Sequence, residues 1–154
     1  MPPSPVLAER VDALQRIIGY TFTNQALLYE ALHAAGGFYV SMAARRDGHK
    51  DLAQVGDAVL RMTLTLDGYQ ARKTRLEISD TISSNASNPN LAATGFEKAL
   101  NNFVIANPAQ GRIISKGVMA STVEALIGAV YIDSNLDIKP VRSVIDALEL
   151  GWSA

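Results

Sequence analysis

Between Val118 and Ile132 the chain reads VMASTVEALIGAVYI, apolar on every side of a helix and charged only at Glu124. A helix with no wet face of its own has to be enclosed by other elements, so a helix over 118–133 is expected at the centre of the fold. The remaining segments read as its cover. Apolar residues at spacings of three and four predict a helix over 6–18, through Val6, Leu7, Val11, Leu14, Ile17 and Ile18, ended by Gly19. Asn24 is a good cap for a second helix over 25–34, closed by Gly36-Gly37. A long helix is predicted from His49 to Ala71, with Leu52, Val55, Val59, Met62 and Leu66 along one broad stripe. Gly56 inside it costs about 1 kcal/mol relative to alanine and so asks for a packing reason. Shorter helices follow over 76–84 and 89–99, the latter with Pro89 in its first turn and Asn88 as cap. The last runs over 138–150, with Pro140 in its first turn. Strand signals are weak throughout. The expected architecture is all-α, with roughly six to eight helices.

At 154 residues the chain has the length of one domain. Met1 to Pro5 holds three prolines and reads as a disordered lead-in, followed by a single domain over 6–150 and a tail over 151–154. The absence of cysteine excludes disulfides, thiolate metal sites and cysteine nucleophiles. No apolar run reaches the roughly 18 residues of a membrane span. The start lacks the apolar stretch of a secretory signal, so an intracellular protein is expected, with cytoplasm, nucleus or mitochondrion undetermined. With a net charge of −1, any contact with nucleic acid must come from local patches. Two clusters are candidates: Arg45, Arg46, His49 and Lys50 before the long helix, and Arg72, Lys73 and Arg75 after it.

Two acids stand in apolar surroundings, Asp57 in QVGDAVL and Glu124 in STVEALIGAVY. An unpaired buried carboxylate is costly. Each therefore either pairs with a structural partner, or the two share a cation site built from different helices. Neither a Ser-His-Asp set, nor a glycine-rich phosphate loop, nor an HExxH metal pattern is present. His33 reads as a packing or capping residue, His49 as a surface residue, and Tyr20 and Phe22 as anchors of the first turn. Trp152 either packs or hangs loose.

Three ordered blocks carry a resemblance. Ile18-Gly19-Tyr20-Thr21-Phe22 with Asn24, Leu27, Leu28, Ala31, Leu32 and His33 resembles the opening of the ribonuclease III domain. Lys50-Asp51-Leu52-Ala53-Gln54-Val55-Gly56-Asp57-Ala58-Val59-Leu60 is similar to that family's helix E-R-L-E-F-L-G-D-[AS]-V-L. Met119-Ala120-Ser121-Thr122-Val123-Glu124-Ala125-Leu126-Ile127-Gly128-Ala129 is similar to its later helix [LM]-A-D-T-V-E-A-L-I-G-A. Between them, Ser84-Asn85 and Asn90-Leu91-Ala92 resemble its S-N-x-x-L-A region.

The resemblance implies a dimeric helical domain that cuts double-stranded RNA in a valley across the dimer. It also implies four carboxylates, in pairs on two helices, that hold divalent magnesium. The pattern departs here in the site itself. Asp57 and Glu124 keep the second member of each pair, whereas Ala53 and Ser121 replace the first members. Lys50 stands where the family pattern opens with glutamate. Alanine offers no oxygen and serine only a weak neutral one, so magnesium is expected to bind weakly if at all. Lys50 lies seven positions before Asp57, on about the same helix face, where its ammonium can replace part of the metal charge. The chain stops at Ala154 without the further RNA-binding domain of many relatives, so duplex affinity is expected to rest on the valley. The preferred expectation is a homodimeric RNA-binding or RNA-processing domain with a degenerate metal site. The alternatives are an active magnesium-dependent endoribonuclease using Asp57 and Glu124, a structural component of a ribonucleoprotein such as a mitochondrial ribosome, and a protein-binding module paired with another family member.

Overall fold

The computed structural model describes residues 5–35, 47–106 and 113–153. Within them lie α1 (Pro5–Ile18), α2 (Gln25–Leu32), α3 (Lys50–Gln70), α4 (Arg75–Asn85), α5 (Asn88–Glu97), α6 (Lys116–Asp133) and α7 (Ile138–Ala147). A 3-10 turn at Leu100–Asn102 follows α5. No strand occurs among the described residues. The one extended pairing is an isolated bridge between His33 and Ile105.

Helix α6 is the enclosed element that its composition requires. From Met119 to Val130 every residue is buried except Ser121 and Glu124, which are half-buried. It packs on α3, α5, α2 and α7. Leu126 and Ile127 meet a core that includes Leu60 and Leu64 of α3, Leu28 of α2 and Leu91 of α5, all fully buried. Side chains of this size each stabilise the fold by roughly 1.5–3 kcal/mol on burial.

The helix ends follow local chemistry, with some shifts from the sequence reading. Proline is tolerated at a first helical position, so α1 already includes Pro5, which the sequence had put in the lead-in. Helix α2 ends at Leu32, short of the predicted 34, because the backbone at His33 turns away to pair with Ile105. Gly36-Gly37 lies outside the described residues. Thr74 caps α4 through a reciprocal pair with Glu77. Ser87, not Asn88, caps α5, because its hydroxyl accepts from the Asn90 N–H. Helix α7 stops at Ala147, three residues early, and Glu149 then turns with a φ of 59°.

Long-range polar contacts fasten the periphery. The Asp133 carboxylate at the end of α6 accepts from the Tyr20 hydroxyl at 2.7 Å and from the backbone N–H groups of Thr23 at 2.9 Å and Asn24 at 2.7 Å. Burial pushes the Asp133 carboxyl up, but those three donors outweigh it and hold it below the usual carboxylate range. Trp152 is no loose tail residue. Its indole N–H donates to the Leu64 carbonyl at 2.9 Å, and its ring fills the space that Gly68 leaves open. The Lys73 ammonium lies 5.6 Å above that ring.

Candidate functional site

The site grows out of one helix crossing. Where α3 meets α6, a Cβ at Gly56 would lie 1.6 Å from the Glu124 carbonyl oxygen, and a Cβ at Gly128 would lie 2.3 Å from the Leu52 carbonyl oxygen. Only two glycines, one on each helix, let the backbones touch. This is the packing reason that Gly56 required. The contact also places Asp57, next to Gly56, beside the Glu124 side chain.

Lys50, Ala53, Gln54, Asp57, Ser121 and Glu124 line an open recess of about 370 Å³ at this crossing. Tertiary structure thus gathers all five positions on which the sequence comparison turned. It adds two that sequence reasoning missed. Gln54 stands on the recess wall. The Arg61 guanidinium Nε donates to Asp57 Oδ1 at 2.9 Å. The signal for Arg61 was present, since it lies four residues after Asp57 on a helix, where opposite charges meet.

The two acids behave as a pair. Burial pushes the Glu124 carboxyl up to about 7, helped by its hydrogen bond with Asp57 and by the Asp57 charge, and opposed by Arg61. A hydrogen bond between two carboxyl groups needs a proton, so near neutrality the pair holds one in part of the population. As a donor set for hard divalent cations this is poor. Magnesium takes carboxylates and water in a tight octahedron. Here one carboxylate is engaged by arginine, the other shares a proton, Ala53 gives no donor and Lys50 adds a positive charge. Among the described residues, no three His, Asp or Glu side chains gather where they could hold a metal ion. The residues therefore do not fit a two-ion centre.

The other candidate cations lie elsewhere. Arg45 and Arg46 are outside the described residues. Arg72, Lys73 and Arg75 are exposed at the far end of α3. Arg72 is about 22 Å along the helix from Asp57 at 1.5 Å per residue, so this turn forms no part of the recess in one chain. His49, read as a surface residue, is 1% exposed under the start of α3. It is buried because its N–H donates to the His33 carbonyl at 2.8 Å, drawing the turn against α2.

Comparison with known proteins places this geometry. The sequence model of the Ribonuclease III domain matches residues 50–135. Ribonuclease 3 of Idiomarina loihiensis is 29% identical over 157 residues, covering 97% of this chain and 60% of that protein. Ribonuclease 3 of Buchnera aphidicola subsp. Schizaphis graminum is 32% identical over 142 residues, covering 87% of this chain and 58% of that protein. The chain thus spans about three-fifths of the length of these curated relatives. A solved nuclease domain of ribonuclease III from Campylobacter jejuni, described for flexibility in a region involved in dimer formation, superposes with a TM-score of 0.75. It is 17% identical, and the match covers 92% of this chain and 98% of that one, which shows a common fold.

Proposed function

Because the chain belongs to the ribonuclease III domain family, we propose that it acts on double-stranded or structured RNA, by binding or by assisting a complex, with nuclease activity weak or absent. The observation that carries this reading is the recess at the α3–α6 crossing. The glycine contact that positions the carboxylates is retained, while the donor set around them is reduced to Asp57 and Glu124. In two-ion hydrolysis of a phosphodiester, one ion activates water and the other stabilises the leaving oxygen. Two carboxylates, one shared with a proton and one with Arg61, support at most weak magnesium binding.

The test is incubation with labelled duplex RNA, with and without magnesium and manganese, beside an Asp57→Ala, Glu124→Ala double variant. Binding without metal-dependent cleavage is expected. Cleavage that requires metal and is lost in the double variant would establish the active-nuclease alternative instead.

The same reading includes a homodimer. The sequence stripe on α3 divides in the structure. Val59 is covered within the chain, whereas Met62 is 40%, Leu66 38% and Tyr69 77% exposed. Those three lie at helical spacings of four and three, so one ridge of α3 is apolar and uncovered. A second copy of this chain covers it in our proposal. Light scattering is expected to give twice the 16.5 kDa chain mass at tens of micromolar. Leu66→Asp is expected to give the single-chain mass, and a wild-type mass of 16.5 kDa would remove the dimer from the reading. Among the described residues no helix is long and apolar enough to cross a membrane.

A further inference from the structure

We propose that the recess at the α3–α6 crossing takes an RNA backbone phosphate directly, without a divalent ion, with Lys50 as its cation and Gln54 and Ser121 as neutral donors. This rests on the RNA reading above and specifies how that site meets its ligand.

The argument starts from charge. A recess lined by four carboxylates repels a phosphodiester unless metal ions intervene. This one is lined by two acids, Asp57 and Glu124, and one cation, Lys50. Arg61 is committed to Asp57 at 2.9 Å. With Arg61 holding one of the two acids, Lys50 is the cation of the wall that no carboxylate engages among the described residues. Ala53 adds no charge to that wall.

The second argument is hydrogen-bonding capacity. A phosphate oxygen accepts and never donates. Lys50 offers up to three N–H donors, the Gln54 amide two and the Ser121 hydroxyl one. None of these side chains is engaged in a hydrogen bond or ion pair with the described residues. A hard cation would have to bind the opposite kind of atom. Of the three, Lys50 offers no acceptor, while Gln54 and Ser121 supply only neutral oxygens. The wall is thus better matched to an anion than to magnesium. Its volume, about 370 Å³, is ample for a phosphate group with neighbouring sugar atoms.

The test measures binding of a fluorescently labelled RNA duplex to the full chain, in EDTA and in millimolar magnesium, over a range of salt. Wild type is expected to bind equally in both. Lys50→Ala should bind about tenfold more weakly in EDTA, with the salt slope reduced by about one, as for the loss of one phosphate contact. Lys50→Arg, which keeps the charge, should retain most of the affinity. The Ala53→Glu, Ser121→Asp double variant should lose binding in EDTA and regain it with magnesium. Wild-type binding that requires magnesium, or Lys50→Ala binding as tightly as wild type, would overturn this inference and leave the RNA reading standing. A wild type that binds no duplex in either condition would overturn both.

Discussion

Gly56→Ala is expected to cost at least about 3 kcal/mol of stability, at or beyond the upper end of the usual range for overpacked interiors. The added methyl group would meet Glu124 backbone oxygen at 1.6 Å and its carbonyl carbon at 2.6 Å. A flexible side chain could turn aside, but a helix backbone cannot, so α3 and α6 must separate. That separation would loosen the largest interface in the fold, around α6. Alanine's better helix propensity, worth about 1 kcal/mol, offsets only part of the loss. For a chain of this size a loss of 3 kcal/mol lowers Tm by roughly 6–12 °C. The control is Gly117→Ala. Nothing lies within 4 Å of a Cβ there, in the first turn of the same helix α6. It is expected to be neutral or to stabilise by up to about 1 kcal/mol. Thermal melts followed by circular dichroism would check both. A Gly56→Ala protein melting within a degree of wild type would mean that the backbones do not touch at this crossing. The variant that does fold should also bring Glu124 back toward an ordinary carboxylate, because its hydrogen bond with Asp57 depends on the same approach.

The second large effect is acid sensitivity through His49. Its side chain is buried, and among the described residues its ring makes no well-formed hydrogen bond, only a weak one to the Val118 backbone, while Nε2 of the neighbouring His33 has no partner there. His33 Nδ1, by contrast, lies 2.8 Å from the Tyr29 carbonyl oxygen. Burial lowers the His49 pKa from 6.5 to about 4, opposed by the backbone of Val118 and assisted by the charges of Lys50 and His33. The folded state therefore takes up its proton later than the unfolded state as pH falls. The contribution of His49 to stability is complete above about pH 6.5. It is lost progressively as pH drops toward 4, by about 3 kcal/mol in all. Glu124 works in the opposite sense. Its pKa is raised when folded, so between about pH 7 and 4.5 the folded state binds the extra proton and gains stability. Wild type alone would show only the balance of the two. The difference between wild type and His49→Leu isolates the histidine. Leucine fills similar volume and removes buried ring nitrogens that are poorly satisfied, so it should be neutral or stabilising at pH 7. Urea unfolding at pH 7, 6, 5 and 4 is expected to show the variant overtaking wild type by a growing margin. Parallel stability curves would exclude His49 as the acid-labile group.

His49 and the glycine crossing differ in how far the sequence disclosed them. Gly56 was conspicuous as a glycine in a long helix, and the need for a close contact could be stated in advance. Which atom it met could not. His49 carried no signal of burial, because it begins a helix in a polar stretch, and it was read as a surface residue. Its burial follows from the hydrogen bond to His33, sixteen residues earlier. Arg61 is legible from spacing alone, four residues after Asp57 on the same helix. Trp152 could not be placed at all, since the space that receives it is made by Gly68 and Ile78 on other elements.

By itself the sequence determined the helices, the enclosed position of α6 and the identity of the residues Ala53, Asp57, Ser121 and Glu124 that meet at the crossing. Those properties are local. Periodicity, caps and residue identity are written within a few turns of chain. The tertiary structure decided which half of the α3 stripe is covered, how closely α3 and α6 approach, and that Asp57, held by Arg61, lies beside Glu124. Spacing along a helix assigns a residue to a face, but only the element packed on that face decides whether it meets water, a backbone or another charge.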